Sequence, residues 1–287
     1  MKWRMFICAI CFLIGGCSLN IPLEDQFSDP DAITDVLSAR SLLASAYKAM
    51  PQQIFQLSVL SDDFCPSQHL NKDMSLQGLY NWREVEMTEL AGTLWAGYYA
   101  VIAEVNALLA RIDAVVTLDE TEKLEKMRIV CEAKALKSWC YFDLLRLFAP
   151  RYEGNENKDG IILKKRVELD FLPRSSVKEC VTEIRTLLNE ARNVDNTQKN
   201  VYWLSDKAVA YLQVELELYA GNYPAVLELT KDLETEYPES VLGADVYKYL
   251  WSSENSDARI FGKYQLEQIY MDIRFDTFEK GDYLVLS

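Results

Sequence analysis

Residues 94–113 read LWAGYYAVIAEVNALLARID, and residues 132–148 read EAKALKSWCYFDLLRLF. In the first stretch apolar side chains recur every three or four residues, which is the spacing of one face of an α-helix. The second stretch continues an acid-rich start at Thr117, and acids in a first turn favour the helix dipole. Two long amphipathic helices are therefore predicted, over Thr88–Asp113 and Thr117–Phe148. The inward positions of the first are Leu94, Tyr98, Val101, Ile102, Val105, Leu108, Leu109 and Ile112.

Helical spacing continues on both sides of this pair. A helix is predicted over Asp31–Met50, opened by Asp31 as its cap and ended by Pro51. Another is predicted over 175–194, with an S-x-x-E capping box from Ser176. Residues 205–220 and 224–237 form a helical hairpin whose turn contains Gly221, loosely in the tetratricopeptide style. The prediction is an all-α fold of tetratricopeptide-like helical pairs with long antiparallel helices and few or no strands. Residues 160–167 are left open between a strand and an extended segment.

Composition removes several classes of function. The 287 residues carry a net charge of −14, which argues against nucleic acid because phosphate binding needs clustered Lys and Arg. His69 is the single histidine, so a Ser-His-Asp triad, a Cys-His pair or a multi-imidazole zinc site has almost nothing to work with. We expect His69 to lie on a solvated loop, and we predict no metal and no cofactor.

The first residues are typical of an export signal. Lys2 and Arg4 precede an apolar run over 5–14 that is too short to span a bilayer. The run leads into Ile14-Gly15-Gly16-Cys17, the lipobox pattern of bacterial lipoproteins, although an ordinary cleaved signal has a similar start. We predict a signal peptide over 1–16, lipidation at Cys17 and a polar lipidated tether over 17–30. The predicted organisation is completed by a helical domain over 31–262 and an irregular segment over 263–287, which is interpreted as either a native or a truncated end.

The remaining four cysteines show no disulfide framework. Cys131 and Cys140 lie nine residues apart on one predicted helix, about 13.5 Å along its axis, which is too far for a bridge. Cys65 and Cys180 have no spacing that suggests a pair. Buried thiols that behave as small apolar side chains are the prediction.

One aromatic cluster lies outside the helical faces. Tyr80, Asn81, Trp82 and Arg83 stand in the polar stretch ahead of the long helix at Thr88. Flat rings beside an amide and a guanidinium suit sugar recognition, because rings cover apolar sugar faces while polar groups bond hydroxyls. The alternative is that Tyr80 and Trp82 only pack this loop onto the helices. Trp203 and Trp251, near helix ends, are weaker candidates.

Paired carboxylates are the one pattern that favours catalysis. They occur at Asp62-Asp63, Glu84/Glu86 and Glu215/Glu217. Two acids at i and i+2 of a helix do not face each other, so Glu215 and Glu217 make no acid pair. No nucleotide-binding, zinc-protease or hydrolase nucleophile motif is present. A non-enzymatic protein is predicted, with an all-α glycan hydrolase as a less favoured alternative.

Two stretches resemble a known family. Trp95–Asn106 has the form W-x-x-Y-Y-x-x-I-x-x-x-N, and Glu132–Phe148 is similar to the E-A-x-x-L-R-A-x-x-Y-F-x-L-x-x-x-F pattern. Both resemble the SusD/RagB family of outer-membrane nutrient-binding lipoproteins of the Bacteroidetes. Lys137 stands where the family usually has Arg, and Ala149-Pro150 replaces the customary Gly.

The resemblance implies a lipid-anchored protein of the outer membrane that faces the cell exterior. Its partner would be a SusC-like TonB-dependent transporter, and its ligand an oligosaccharide or, as in some relatives, a peptide. It would not be an enzyme. Family members bind ligand by loops, where aromatic residues stack on glycans, and the Tyr80–Arg83 stretch lies in a comparable place. Members are typically longer, so this chain is interpreted as a short or truncated member. A helical-repeat scaffold that binds no small ligand is the alternative function.

Overall fold

The computed structural model describes residues 33–66, 74–167, 171–192, 202–236, 260 and 283–285. Within these ranges the chain forms eight α-helices, one 3₁₀ turn and two short strands. In chain order they are α1 (Val36–Lys48), α2 (Ile54–Leu60), β1 (Phe64–Pro66), α3 (Met74–Tyr80), α4 (Glu84–Arg111), the 3₁₀ turn (Ile112–Ala114), α5 (Glu120–Phe148), α6 (Val177–Ala191), α7 (Asp206–Tyr219), α8 (Tyr223–Glu236) and β2 (Tyr283–Val285).

The predicted all-α fold is confirmed. Consecutive helices from α4 to α8 pack against one another, and α1 packs on both α4 and α5. The two strands pair antiparallel, with Phe64 opposite Val285. Strand β1 lies in the stretch 61–73 that has no helical spacing, and β2 lies within the 263–287 segment predicted to be irregular. Residues 160–167 form an extended segment without a strand, and the neighbouring Asp159 makes a single bridge to Ser176.

Three helix starts differ from the prediction. The cap of α1 is Asp35, whose carboxylate accepts from the Ser38 N–H, and not Asp31. Helix α4 begins at Glu84, four residues before Thr88, and α5 begins at Glu120 after the Asp119 cap. Local capping explains α1 and α5, because a side chain that accepts from the first-turn N–H groups fixes the end. In α4, acids at the first and third positions suit the positive end of the helix dipole.

Two predicted helix ends are confirmed. Ser176 and Glu179 form the capping box of α6, each side chain bonding the other residue's backbone N–H. The α7–α8 hairpin turns at Gly221, which has φ +70°. Glycine adopts this left-handed conformation at no steric cost, so it is the residue that ends a helix here.

Helix α5 is the centre of the core. Between residues 132 and 145 it is enclosed by α1, α4, α6 and α7, so side chains on every side of it are buried. A helix that is apolar all round is normally buried in this way. Its buried residues are Ile129, Glu132, Ala133, Ala135, Leu136, Lys137, Ser138, Cys140, Tyr141, Phe142, Leu144 and Leu145.

Glu132 is one of the two charged side chains among them, and only 3% of it is exposed. Both of its carboxylate oxygens accept from Nη1 of Arg40 on α1, at 3.0 Å. The Tyr47 hydroxyl lies 3.4 Å from the same carboxylate. Burial raises the pKa of Glu132 to about 7, although the Arg40 charge acts in the opposite direction. This cluster ties α1 to the central helix.

Lys137 is the second buried charge of α5. Its ammonium donates to Oδ1 of Asn106 on α4 at 2.6 Å, and Asn106 donates to the Lys164 carbonyl at 2.9 Å. The Tyr141 hydroxyl donates to the same carbonyl at 2.6 Å. Burial lowers the pKa of Lys137 to about 8. These polar groups hold the extended segment 160–167 against the two long helices, where it has no sheet to supply its backbone partners.

Helix α4 is long and apolar enough to cross a membrane by length and composition alone. Its inward face packs against α1 and α5, and seven of the eight inward positions predicted for residues 94–113 are buried. Leu109, the eighth, is half-buried. The apolar content of α4 is therefore that of a core helix.

The predicted buried thiols are found at two positions. Cys140 and Cys180 are fully buried, and Cys131 is half-buried, with its Sγ 3.8 Å from the Glu190 carbonyl. Cys140 packs its sulfur 3.4 Å from that of Met50. The side chain of Cys65 lies outside the described set.

We expect the free energy of unfolding to fall as the pH rises from 5 to 7.5. The pKa of Glu132 is raised from 4.5 to about 7 in the folded state, so the folded protein holds this proton more tightly than the unfolded chain. The resulting contribution to the free energy of unfolding is fully present below pH 4.5 and is lost as the pH rises through 7. The total is about 3 kcal/mol. Glu132→Gln removes this group, so the variant should lose most of the slope. Urea unfolding at five pH values measures it.

Glu125→Gln is the matched control, because Glu125 also binds Arg40 but is more exposed, with 29% of its side chain accessible. This control should keep most of the slope of the parent chain, because Glu125 is only a minor cause of the raised pKa of Glu132. Equal slopes in the parent chain and in Glu132→Gln would contradict the assignment.

Candidate ligand-binding turn

The α3–α4 turn, defined here as residues 81–83, is built by the end of one helix and the start of the next. Helix α3 ends at Tyr80. The Trp82 N–H then donates to the Leu79 carbonyl at 3.0 Å, and the Arg83 N–H donates to the Gly78 carbonyl at 2.8 Å. This pair of bonds is the Schellman arrangement, which satisfies the last carbonyls of a helix. Arg83 is already the N-cap of α4, so only Asn81 and Trp82 lie between the last residue of α3 and this cap.

Trp82 occupies the position of this arrangement that normally holds glycine. Its φ is +54°, and 64% of the residue is exposed to solvent. A left-handed conformation costs an ordinary residue roughly 1–2 kcal/mol. Burial of the indole would offset this cost, but the Trp82 ring is exposed and gains little burial energy. Backbone strain that packing does not explain is a reason to look for a function. The turn therefore presents a large ring outward at an energetic cost.

The other members of the predicted cluster have different environments. Tyr80 is the last residue of α3, not a loop residue, and it is half-buried against the core. The Asn81 amide donates to the Gln77 carbonyl at 2.8 Å and is exposed. The predicted packing role thus describes Tyr80, whereas Trp82 points into solvent. Asn81, Trp82 and Arg83 lie together on the turn.

Arg83 is held by an ion pair within the first turn of α4. Its Nη2 lies 2.7 Å from Oε1 of Glu86. The Arg83 side chain is 45% exposed and the Glu86 side chain 16% exposed. On the other side of Glu86 is Gly78, where an added Cβ would overlap the Glu86 carboxyl group. The turn thus combines an exposed ring with a guanidinium whose counter-ion is partly enclosed.

Other aromatic candidates are engaged inside the protein. The Trp203 ring lies under the Arg40 guanidinium, 4.9 Å from it, and packs edge-on against Tyr47. The Trp95 ring contacts Phe148 at 5.0 Å between centroids, with Arg174 over its face. These rings belong to the core and its margin. Trp251 lies outside the described residues.

Four of the six carboxylates considered for acid catalysis have structural partners, namely Asp63, Glu86, Glu215 and Glu217. Glu217 binds Arg185 and Asn222 between α6 and the α7–α8 turn, and Glu215 lies 3.5 Å from Arg146. Arg185 and Asn222 hold the pKa of Glu217 below its usual value against the opposing effect of burial. Asp63 accepts from the Ser61 hydroxyl at 2.9 Å. Glu86, in the first turn of α4, is the carboxylate of this set that contacts the candidate turn, through Arg83.

Several predicted features lie outside the described residues. They are the signal peptide over 1–16, the lipidation site Cys17, the tether over 17–30, His69 and most of the segment 263–287. Among the residues that are described, no group of three or more metal-ligating side chains lies together.

The sequence does not single out two residues that contact the turn from the flanking helices, Glu86 and Gly78. Glu86 was considered only as half of an acid pair with Glu84. Its i,i+3 relation to Arg83 in an N-terminal helical turn is a signal for an ion pair. Gly78 has no comparable signal in the sequence. Its importance comes from the space that it leaves for the Glu86 carboxyl group, which only the tertiary structure shows.

Solved structures share this fold. A SusD superfamily protein from Bacteroides fragilis is 21% identical, covers 82% of this chain and 57% of its own, and has a TM-score of 0.64. A protein from Bacteroides vulgatus that is inferred to bind sugar is 20% identical. It covers 80% of this chain and 54% of its own length, with a TM-score of 0.65. A laminarin-binding SusD-like protein is 20% identical, covers 76% and 48%, and has a TM-score of 0.57.

This chain spans about half the length of the structures it matches. No curated protein sequence matches it. The profile of the SusD-like family, described as starch-binding and associating with the outer membrane, matches residues 23–215. That range is more than half of the chain and includes helices α1 to α6 and the candidate turn. With the shared helical fold, it shows that the chain belongs to the SusD-like family.

Proposed function

We propose that this protein binds glycan through the α3–α4 turn, with the Trp82 ring as its stacking surface. The observation that carries the proposal is the exposed indole of Trp82 at a backbone position that favours glycine. An indole face covers the apolar C–H face of a sugar ring, and neighbouring amide and guanidinium groups bond its hydroxyls. Asn81 and Arg83 provide those polar groups on the same turn.

Relatives support a glucan as the ligand class. The family profile is described as starch-binding, and one similar structure is described as laminarin-binding. Both polymers consist of neutral glucose units, so recognition depends on stacking and hydroxyl contacts and not on ion pairing. A short glucan that lies across Trp82 fits the chemistry of the turn.

The wider role is proposed from membership of the family and from the N-terminal pattern. Cys17 would carry the lipid that anchors the protein to the outer membrane, facing the cell exterior. From there the protein would deliver its ligand to a SusC-like TonB-dependent transporter, without catalysis. The net charge of −14 supports this setting, because an acidic surface does not cling to anionic envelope lipids.

Trp82→Ala should weaken binding of maltoheptaose or laminariheptaose at least about fivefold. Removal of one stacking ring costs about 1–3 kcal/mol where bases stack on aromatic side chains, and a sugar face is a comparable platform. Isothermal titration calorimetry on the full chain in detergent solution measures the dissociation constant. Tyr223→Ala is the matched control, since Tyr223 is 62% exposed but lies on α8. Equal losses in both variants, or none in Trp82→Ala, would favour the scaffold alternative.

Trp82→Gly and Trp82→Ala should differ in stability although both remove the ring. Glycine adopts φ +54° freely, whereas alanine does not, so the glycine variant should be more stable by about 1 kcal/mol. Its unfolding midpoint should equal or exceed that of the parent chain. A large destabilisation by Trp82→Gly would instead mean that the indole packs as a structural residue. Thermal unfolding monitored by circular dichroism measures both variants.

Cys17→Ala should abolish lipid attachment while leaving the helical domain folded. Growth of the expressing bacterium with an alkyne-labelled fatty acid, followed by fluorescent coupling, detects the acyl chains. The parent chain should be labelled and fractionate with membranes, whereas the variant should be unlabelled. Cys131→Ala is the control, because Cys131 lies on helix α5 and should not alter labelling. Labelling that persists in Cys17→Ala would contradict the lipidation assignment.

A further inference from the structure

Gly78 stands in the interior of helix α3, where its backbone does not require glycine. Its φ is not positive, unlike that of Gly154 or Gly221. A helical glycine is less favourable than alanine by about 1 kcal/mol, so its presence needs another reason. The space above its Cα contains Glu86, since an added Cβ would overlap Cδ and Oε1 of that side chain. The absence of a side chain at 78 is what lets the Glu86 carboxylate lie there.

The position of Glu86 determines the position of Arg83. Oε1 of Glu86 lies 2.7 Å from Nη2 of Arg83, and the Glu86 side chain is 16% exposed. The same helix end receives the Arg83 backbone, whose N–H donates to the Gly78 carbonyl at 2.8 Å. Gly78 therefore affects both parts of Arg83. Its carbonyl bonds the Arg83 backbone, and its missing side chain leaves space for the Glu86 carboxylate that binds the Arg83 guanidinium. Most surface ion pairs lack a second constraint of this kind.

We propose that Gly78 and Glu86 are positioning residues of the glycan-binding turn, which hold the Arg83 guanidinium in one place beside Trp82. The inference rests on the proposed function of that turn. An unrestrained arginine loses substantial rotamer entropy when it is ordered on a ligand. An arginine that is already held loses less, so the affinity is higher for the same contacts.

The test is Gly78→Ala, measured with maltoheptaose and laminariheptaose on the full chain in detergent solution. The new Cβ displaces the flexible Glu86 side chain, so the dissociation constant should rise about two- to five-fold, the range of one exposed ion pair. The unfolding midpoint should stay equal or rise, because alanine favours the helix. Gly92→Ala is the matched control, since its Cβ on α4 would meet nothing within 4 Å. It should leave the dissociation constant unchanged.

A double-mutant cycle shows whether the two residues act together. Glu86→Ala should weaken binding by the same two- to five-fold, and Gly78→Ala in that background should add nothing. Glu228→Ala, which removes a comparable i,i+3 ion pair with Lys231 on α8, should have no effect. Conversely, Arg83→Ala should lose at least as much affinity as Glu86→Ala.

The outcomes separate this inference from the proposed function. If Trp82→Ala loses binding but Gly78→Ala and Glu86→Ala bind like the parent chain, the positioning role alone is overturned. An additive effect of Gly78→Ala in the Glu86→Ala background would also overturn it. If the parent chain binds neither glucan, or if Trp82→Ala binds normally, both proposals are overturned together.

Discussion

The central helix α5 carries two ionisable side chains into the core, and their need for partners determines which elements surround it. A buried charge without a partner is far more costly than a lost apolar contact. Glu132 is compensated by Arg40 of α1, and Lys137 by Asn106 of α4. Hydrogen bonds and ion pairs are directional, so each of these contacts favours one register of the two helices it joins. The rest of the bundle is arranged around that register.

The same contacts explain how an extended segment survives in a helical protein. Residues 160–167 have backbone groups that no sheet satisfies. The Lys164 carbonyl accepts from Asn106 and Tyr141, and the Tyr99 hydroxyl bonds both the N–H and the carbonyl of Ile162. Side chains of the two long helices thus supply hydrogen-bond partners that a neighbouring strand would supply in a sheet. The segment also contacts α6, where the Ile161 N–H lies 3.4 Å from Sγ of Cys180.

The candidate turn, in contrast to the buried contacts of α5, contributes little to the stability of the fold. Its ring is exposed, its backbone is strained at Trp82, and its ion pair is close to the surface. None of these features stabilises the fold, yet the long helix α4 begins immediately after them. This turn directly precedes a helix of 28 residues, one face of which is buried in the core, and that helix fixes one end of the turn. A binding surface gains from this arrangement, because the ring and the guanidinium are presented without a flexible loop.

Local patterns determined the class of fold, the two long helices, the Ser176–Glu179 capping box and the Gly221 turn. Each depends on residues a few positions apart, so sequence alone contains the information. It also singled out Tyr80–Arg83, but it could not separate the half-buried Tyr80 from the exposed Trp82. That distinction depends on packing against the core, and the partners of Glu132 and Lys137 lie 92 and 31 positions away in the sequence. Only tertiary structure decided them, because burial is a property of the assembled core and not of any one segment.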